Sequence, residues 1–265
     1  MGSISDYAEN KLLDHVFGTA SFTTPAAIYI GLSTADPTDD GSGFSAPTGG
    51  GYARVNITSA FGAASARSIT NSAATAVWNP TGGAGGETIT HWAIYDASTV
   101  GNMLAHGSFT TSKTWTASTT LTIATSQLTV TFSTGGATTY LANKLLDHLL
   151  RATTYTQPTV RTALSTADPT DAGSGAAEPG GTYTRIAVAT WDAASGGATQ
   201  NTGTITYPTV DATAWGTITH QFTADAASAG NVLTYGAITA YGGSFAPTNG
   251  DTVAYAAGGY DVTLS

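Results

Sequence analysis

Residues 32–39 read Leu-Ser-Thr-Ala-Asp-Pro-Thr-Asp, and residues 164–171 repeat this octapeptide without a change. A hexapeptide upstream behaves in the same way, because Asn-Lys-Leu-Leu-Asp-His stands at both 10–15 and 143–148. An ordered series of matches of this kind predicts a tandem duplication of the whole chain. The shorter matches, in the same order, are 52–55 with 183–186, 88–91 with 217–220, 101–104 with 230–233, and 128–132 with 260–264.

The two copies predict two domains, each of a common domain size. The distance between matched blocks varies from 129 to 133 residues, which indicates short insertions and deletions in the loops between fixed elements. The stretch at 133–137, Ser-Thr-Gly-Gly-Ala, has the composition of a short flexible linker. We therefore expect one module over 1–135 and a second, homologous module over 136–265.

Each copy is predicted to open with a helix and to continue in strands. Apolar residues recur at helical spacing over 6–17 and again over 140–150. Alternation places Ile28, Ile30 and Leu32 on one face of a strand, and the second copy keeps that face as Val160, Thr162 and Leu164. Further strands are predicted at 52–58, 75–78, 88–95, 103–109, 121–124 and 128–132.

These elements and the abundance of Thr, Ala, Gly and Ser favour a mainly β fold with many turns. We expect two tandem antiparallel β-sandwich modules, of jelly-roll or immunoglobulin-like type. One short N-terminal α-helix is expected to precede each module.

The composition excludes several classes of protein. Of the 265 residues only 9% are charged, and the formal net charge is −9, whereas an average domain has about 25% charged residues. The few Lys and Arg residues do not cluster, so nucleic acid is not an expected partner. No apolar run approaches the roughly 18 residues of a membrane helix, and the first residues lack the features of a signal peptide. With no Cys, disulfides and zinc–thiolate sites are excluded.

The repeated octapeptide leads into a loop that concentrates carboxylates and glycines. Asp36, Asp39, Asp168 and Asp171 are therefore candidate metal ligands, with Ca²⁺ as the cation that such oxygen ligands favour. Their spacing does not match an EF-hand loop, and Asp-Pro followed by Asp and Gly is also a common turn. The turn is the favoured interpretation, and no cofactor is expected.

No motif in the chain indicates an enzyme. Asp14 and His15 are adjacent on a predicted helix, so their side chains point about 100° apart and do not pair; the same holds for Asp147 and His148. No serine lies in a G-x-S-x-G motif, and no H-E-x-x-H motif is present. We expect no catalytic residues and no enzyme activity.

Two arginines occur at matching positions in the two copies of this charge-poor chain, so we expect each to have a carboxylate partner. Arg54 and Arg185 follow the matched tyrosines at the start of a predicted strand. We expect each to form an ion pair with a repeated carboxylate, either Asp39 and Asp171 or Asp96 and Asp225, and so to hold a loop against the sheet.

The motifs of the first copy resemble those of small virion proteins of tailed bacteriophages. The resemblance rests on residues 7–18, on 28–39 with the repeated octapeptide, on Gly-Tyr-Ala-Arg-Val at 51–55, and on 92–99 with Gly-Asn-Met-Leu at 101–104. It implies a non-enzymatic virion component with a β-sandwich core, of tail, tail-fibre or head-decoration type, here in tandem duplication. It implies no catalytic residue.

From the resemblance we expect a structural protein on the surface of the virion, as a head decoration, a cement protein or a tail-associated protein. Its expected partners are major capsid or tail proteins and other copies of itself, assembled in the cytoplasm of the bacterial host. The alternative is a receptor- or carbohydrate-binding module of a tail fibre. That alternative would use Trp92, Trp115 or Trp215 as exposed stacking surfaces, although burial in the core is the favoured interpretation for most tryptophans.

Overall fold

The computed structural model describes residues 2–264 of the chain. Two helices stand at matching places in the repeats: α1 spans Asp6–Phe17 and α2 spans Thr139–Leu150. The predicted apolar stripe of α1 is buried at every position, at Ala8, Leu12, Leu13, Val16 and Phe17. Burial of this stripe explains the helix, because apolar residues at this spacing share one face.

The rest of the first repeat is built from strands. The strands are β1 (Gly2–Ile4), β2 (Tyr29–Ser33), β3 (Val55–Asn56), β4 (Ser68–Thr70), β5 (Ala76–Trp78), β6 (Gly85–Tyr95), β7 (Met103–Thr116), β8 (Leu121–Ile123) and β9 (Thr129–Thr131). The two long strands β6 and β7 form a hairpin around the loop at 96–102.

The second repeat follows the same order, with strands of equal or shorter length. They are β10 (Gly136–Ala137), β11 (Arg161–Ser165), β12 (Ile186–Ala187), β13 (Ala198–Gln200), β14 (Ile205–Thr206), β15 (His220–Ala224), β16 (Val232–Ala237), β17 (Ala254–Tyr255) and β18 (Asp261–Thr263). A short 3₁₀ turn at Ala240–Gly243 separates β16 from β17.

The main sheets of the two repeats share one arrangement but differ at one edge. In the first repeat seven strands are joined in the order β3-β2-β6-β7-β1-β9-β4. The second repeat has the order β10-β16-β15-β11-β12, with β13 and β18 in a separate pair. The difference arises at β1, which pairs antiparallel with β7 and parallel with β9 at Gly2 and Val130. The short β10 pairs with β16 alone.

The chain forms two compact units, and the division between them runs through both helices. Unit 1 contains Thr23–Phe132 together with the start of the chain up to Glu9 and, from the second repeat, Asn143–Tyr155. Unit 2 contains the chain from Thr156 onward together with Ser133–Ala142 and, from the first repeat, Asn10–Phe22. Each unit therefore includes most of the helix encoded by the other repeat. The boundary predicted at 135/136, as a limit between independently folding modules, stays a prediction.

The predicted fold class is confirmed: the fold is mainly β, in two repeats that each carry one helix. The predicted helix at 6–17 matches α1, and the one at 140–150 begins one residue late. The first predicted strand face is buried at Ile28, Ile30 and Leu32. The strand predicted at 52–58 is wrong in length, because only Val55–Asn56 pairs, and β4 was not predicted.

Candidate functional site

The repeated hexapeptide positions a pair of polar side chains that dock each helix. In unit 2, Asp14 Oδ1 accepts a hydrogen bond of 2.8 Å from the backbone N–H of Ala194, and Asn10 Oδ1 accepts one of 3.0 Å from that of Gly197. Asn10 and Asp14 are four residues apart, so they lie on the same face of α1. The repeated spacing of this pair thus serves docking, since the side-chain oxygens of both residues accept backbone N–H groups.

Unit 1 contains the same arrangement with the repeats exchanged. Asp147 Oδ1 accepts from the N–H of Ala64 at 2.9 Å, and Asn143 Oδ1 accepts from that of Arg67 at 2.9 Å. Asp147 also lies 3.8 Å from the guanidinium of Arg151, one turn along the helix. Sequence reasoning missed this role, although the asparagine and aspartate recur at the same spacing in both copies.

The receiving element in each unit is a two-residue hairpin. Ser65 and Ser68 exchange backbone hydrogen bonds of 2.9 and 3.0 Å, and Ser195 and Ala198 do the same at 3.0 and 3.1 Å. Both central residues of each turn have positive φ, at 48° and 65° in the first repeat and at 57° and 70° in the second. This geometry favours glycine, which the second repeat provides at 196 and 197.

The histidines of the hexapeptide are structural. His15 is buried and its Nδ1 accepts a hydrogen bond of 3.2 Å from the backbone N–H of Phe22. His148 is likewise buried and accepts from the N–H of Tyr155 at 3.0 Å. Through Nδ1, each ring therefore holds the chain that leaves its helix.

The carboxylates of the octapeptide loop stabilise the turn itself. Asp36 Oδ1 accepts from the N–H of Thr38 at 3.0 Å, and Asp168 Oδ1 accepts from that of Thr170 at 2.8 Å. The two threonines have positive φ, at 61° and 64°, a strained conformation that the aspartate bond supports. The exposed Asp40 binds the hydroxyls of Thr38 and Ser42, and these bonds, that of Thr38 first, lower its pKa to about 2.

Asp39 belongs to a small polar cluster with Ser3 and His106. His106 Nε2 lies 2.7 Å from Asp39 Oδ1 and 3.2 Å from Ser3 Oγ. In a catalytic relay the aspartate binds Nδ1 and the serine binds Nε2, whereas both groups here contact the same nitrogen. Nδ1 has no hydrogen-bond partner within residues 2–264 and lies 3.8 Å from Asp36. The cluster is therefore not arranged for nucleophilic catalysis.

The second repeat has different contacts at the matching place. Tyr235 replaces His106, and Asp171 accepts a hydrogen bond from the hydroxyl of Thr139 at the start of α2. His220 Nε2 lies 4.0 Å from Asp168 Oδ1. Within residues 2–264, no group of three or more His, Asp or Glu side chains is placed to hold a metal ion. Ca²⁺ binding by Asp36, Asp39, Asp168 and Asp171 stays a prediction.

Arg54 holds a loop through carbonyl oxygens and not through the ion pair predicted from the sequence. Its Nη1 donates to the carbonyls of Ala97 and Val100 at 3.1 and 2.6 Å. The guanidinium carbon lies 3.3 Å from the ring centroid of Tyr95. Asp96, the predicted partner, instead accepts from the N–H and side-chain amide of Asn102 at 2.7 and 2.8 Å.

Arg185 repeats the loop contacts and adds an acid that the first repeat lacks. Its Nη1 donates to the carbonyls of Ala226 and Ala229 at 2.9 and 2.6 Å. Its Nε and Nη2 bind both oxygens of Glu178, at 2.9 and 2.8 Å. The predicted pairing with Asp225 is wrong in its partner, because Asp225 binds Asn231. In each repeat the aspartate thus forms hydrogen bonds within its own loop. The arginine donates to backbone carbonyls of the same loop and holds it in place.

The three tryptophans considered as stacking surfaces are all buried. Trp92 and Trp115 are each 1% exposed and Trp215 is 2% exposed. A ring with this exposure cannot stack on a receptor or a sugar without unfolding its surroundings. The role that the carbohydrate-binding alternative gave to these residues is therefore wrong.

Neither helix in the described part of the chain is long and apolar enough to cross a membrane. The chain matches none of the curated proteins with which it was compared. The family described as Podophage GP4 fiber I protein gp80 matches residues 3–131 and, a second time, residues 136–263. These two matches coincide with the tandem repeats and confirm the resemblance to phage virion proteins. The chain belongs to the Podophage GP4 fiber I protein gp80 family, with the family's sequence present twice in tandem.

Proposed function

We propose that this protein is a non-enzymatic structural component of a phage tail fibre, carried on the virion after assembly in the cytoplasm of the host. The observation that carries the proposal is the use of the residues shared by both repeats. The helix-docking pair at Asn10 and Asp14, the histidine at 15 and the loop clamp at Arg54 all hold the scaffold. An enzyme that duplicates would be expected to retain a reactive cluster in both copies.

The cluster of a hydroxyl, an imidazole and a carboxylate at Ser3, His106 and Asp39 supports the same proposal. Ser3, His106 and Asp39 converge on a single ring nitrogen, and Tyr235 stands in place of the histidine in the second repeat. In a serine–histidine–aspartate triad the histidine uses one nitrogen for the proton it takes and the other for the orienting carboxylate. We therefore expect neither catalysis nor a cofactor, and chelation of divalent cations is expected to leave the unfolding temperature unchanged.

The expected partners are other tail proteins and further copies of this chain. Large apolar side chains that are exposed within residues 2–264 are restricted to Val77, Val100 and Tyr241. Contacts with neighbours would then be made mainly by the small and uncharged polar residues that dominate the composition, as in interfaces depleted of charge at their centre.

The test is the position of the protein on purified particles. Virions are purified through a density gradient and labelled with gold-conjugated antibodies against the chain, with a virion that lacks the gene as the control. Label at the tail is the expected result. Label spread over the head would show that the protein is a head decoration or cement protein and not a fibre component. Absence of the protein from purified virions would contradict a structural role altogether.

A further inference from the structure

The most informative difference between the repeats is a tryptophan that the second copy lacks. Trp92 on β6 stands opposite Leu32 on one neighbour and Gly107 on the other. Gln221 on β15 stands opposite Leu164 and Gly236 in the same way. The two positions are therefore structurally equivalent, so the first repeat is an internal reference for the second.

In the first repeat the indole ring fills the space beside this strand. A Cβ added at Gly107 would lie 2.6 Å from Trp92 Cζ2, and one added at Gly2 would lie 2.5 Å from its Cη2. Glycine is required at both positions because the ring lies directly against the backbone. No room for a ligand is left there.

In the second repeat the equivalent space is a cavity of about 200 Å³, open on one side. A Cβ added at Gly236 would meet no atom within 4 Å, in contrast to the contacts at Gly107. The cavity also lies where the sheet is interrupted: the pairing of β10 with β16 ends at Tyr235, and β10 lies against β18 without the ladder pairing that joins β1 to β9 in the first repeat. The loss of the indole is therefore not compensated by a collapse of the neighbouring strands.

The lining of the cavity is polar and carries no positive charge. It includes Gln221, Thr239, Asp261 and Thr263, with Tyr235 and Tyr260 among its aromatic residues. The side chain of Gln221 is 7% exposed; its Nε2 donates to the Asp261 carbonyl at 3.4 Å, and its Oε1 has no partner within residues 2–264. A buried amide oxygen without a partner is unfavourable, and a ligand donor that enters the cavity would relieve this.

The two repeats differ at further positions around the cavity. Tyr260 and Asp261 stand where the first repeat has Leu128 and Thr129. The hydroxyl of Tyr260 donates to the carbonyl of Phe222 at 2.6 Å, so its ring is fixed in place. The second repeat thus replaced two apolar side chains, an indole and a leucine, with an amide and a phenol.

The lining decides between classes of ligand. The lining contains no Lys, Arg or His, so the cavity does not favour an anion. Its single carboxylate does not provide the roughly six to eight oxygen ligands that Ca²⁺ takes. Amide, carboxylate and hydroxyl groups beside the partly exposed ring of Tyr235 fit a neutral ring that carries many hydroxyls. A closed cavity of about 150 Å³ accepts benzene in another protein. A monosaccharide is larger, but this cavity is open on one side, so one sugar ring can enter with some of its hydroxyls in solvent.

We propose that the cavity between β16 and β18 in the second repeat binds a single neutral sugar residue. This inference goes beyond the structural role proposed above. It would stand if the protein proved to decorate the head, and its failure would leave the tail-fibre proposal intact.

The test is a titration of the full-length, ¹⁵N-labelled protein with neutral monosaccharides, followed by amide chemical shifts. The panel is glucose, galactose, rhamnose and N-acetylglucosamine, each raised to about 100 mM because one small ring is expected to bind with a Kd of about 1–10 mM. At least one sugar is expected to give saturable shifts at Gly236 and Val262. The equivalent amides of the first repeat, Gly107 and Val130, are the internal control and are expected not to move.

Two variants place the binding in the cavity. Gly236→Val points a side chain into the empty space, and Gln221→Trp restores the indole of the first repeat; each is expected to weaken binding at least tenfold. Gly236 has a negative φ, so valine is allowed there, and the unliganded spectrum shows whether each variant is folded. The proposal is overturned if no sugar of the panel gives saturable shifts, if Gly107 and Gly236 shift equally, or if a folded Gly236→Val variant binds as the natural protein does.

Discussion

Adding one methyl group at two equivalent glycines should have opposite effects on stability. At Gly107 the new Cβ would lie 2.6 Å from Trp92 Cζ2 and 2.7 Å from the Cα of Gly2, whereas carbon atoms normally approach to about 3.5–4.0 Å. Trp92 is 1% exposed, so the ring or the paired strand must move by about 1 Å, and overpacking of this kind costs about 1–3 kcal/mol. Gly107→Ala is therefore expected to lower the free energy of unfolding by that amount.

Gly236→Ala is the matched control, because nothing lies within 4 Å of its added Cβ. Replacing a glycine within a strand by alanine is favourable by about 0.5–1 kcal/mol when no clash results. The two variants are therefore expected to differ by about 1.5–4 kcal/mol, as measured by urea denaturation followed by far-UV circular dichroism and tryptophan fluorescence. Equal midpoints for both variants would refute the claim that the indole occupies in one repeat the space that is empty in the other.

Three further predictions concern docking, the loop clamps and alkaline pH. Asp14→Ala and Asp147→Ala are each expected to lower the free energy of unfolding by about 1.5–3 kcal/mol, since a backbone N–H loses its bond to a carboxylate. Asn at either position should restore most of the lost stability. Unchanged urea midpoints for the alanine variants would contradict the docking role. Arg54→Met and Arg185→Met are expected to lower the melting temperature in differential scanning calorimetry. The effect of Arg185→Met is expected to be larger, because it also removes the two hydrogen bonds to Glu178. Unchanged melting temperatures of both variants would contradict the role of these arginines in holding the loops. Burial raises the pKa of Tyr52 from 10.0 to about 12, so its contribution to the free energy of unfolding is complete below pH 10 and is lost as the pH rises towards 12. Ionisation of the phenols is followed by ultraviolet absorbance. If every phenol ionises near its ordinary pKa while the protein is still folded, this prediction is wrong.

The helices and turns of this chain could be predicted from residues that are close together in the sequence. The stripe at Ala8, Leu12 and Val16 predicts α1 because helical spacing is a property of a few neighbouring residues. The turn at Asp36 was likewise predictable, since the aspartate, proline and glycine each favour it for their own reasons. The docking hairpin at 196–197 carries the Gly-Gly signal of its turn type, but its first-repeat counterpart, Ala66-Arg67, does not.

The exchange of helices could not be predicted from the sequence. The two copies carry the same hexapeptide, so Asp14 and Asp147 are equally suited to either receiving hairpin. The partner of Arg185 was also hidden, because Glu178 has no counterpart in the repeated motifs that guided the prediction. Burial of Trp92 and the cavity beside Gln221 depend on strands that are distant in sequence, and only the register of the folded sheet brings them together.

The most direct test of the exchanged helices is cross-linking within a chain that has no natural cysteine. In unit 1 the pair Asp147→Cys and Ala64→Cys replaces two residues joined by a hydrogen bond of 2.9 Å; in unit 2 the pair Asp14→Cys and Ala194→Cys replaces two joined at 2.8 Å. A short thiol-reactive cross-linker is applied to dilute protein, and the products are identified by peptide mass spectrometry.

Efficient cross-linking of both pairs within monomeric chains is the expected result, because Asp14 and Asp147 each dock on the hairpin of the other repeat. The comparison variant combines Asp14→Cys with Ala64→Cys, the pair that would be close if each helix docked on its own repeat. Cross-linking of this variant in place of the two expected pairs would contradict the exchange, as would products that join only separate chains.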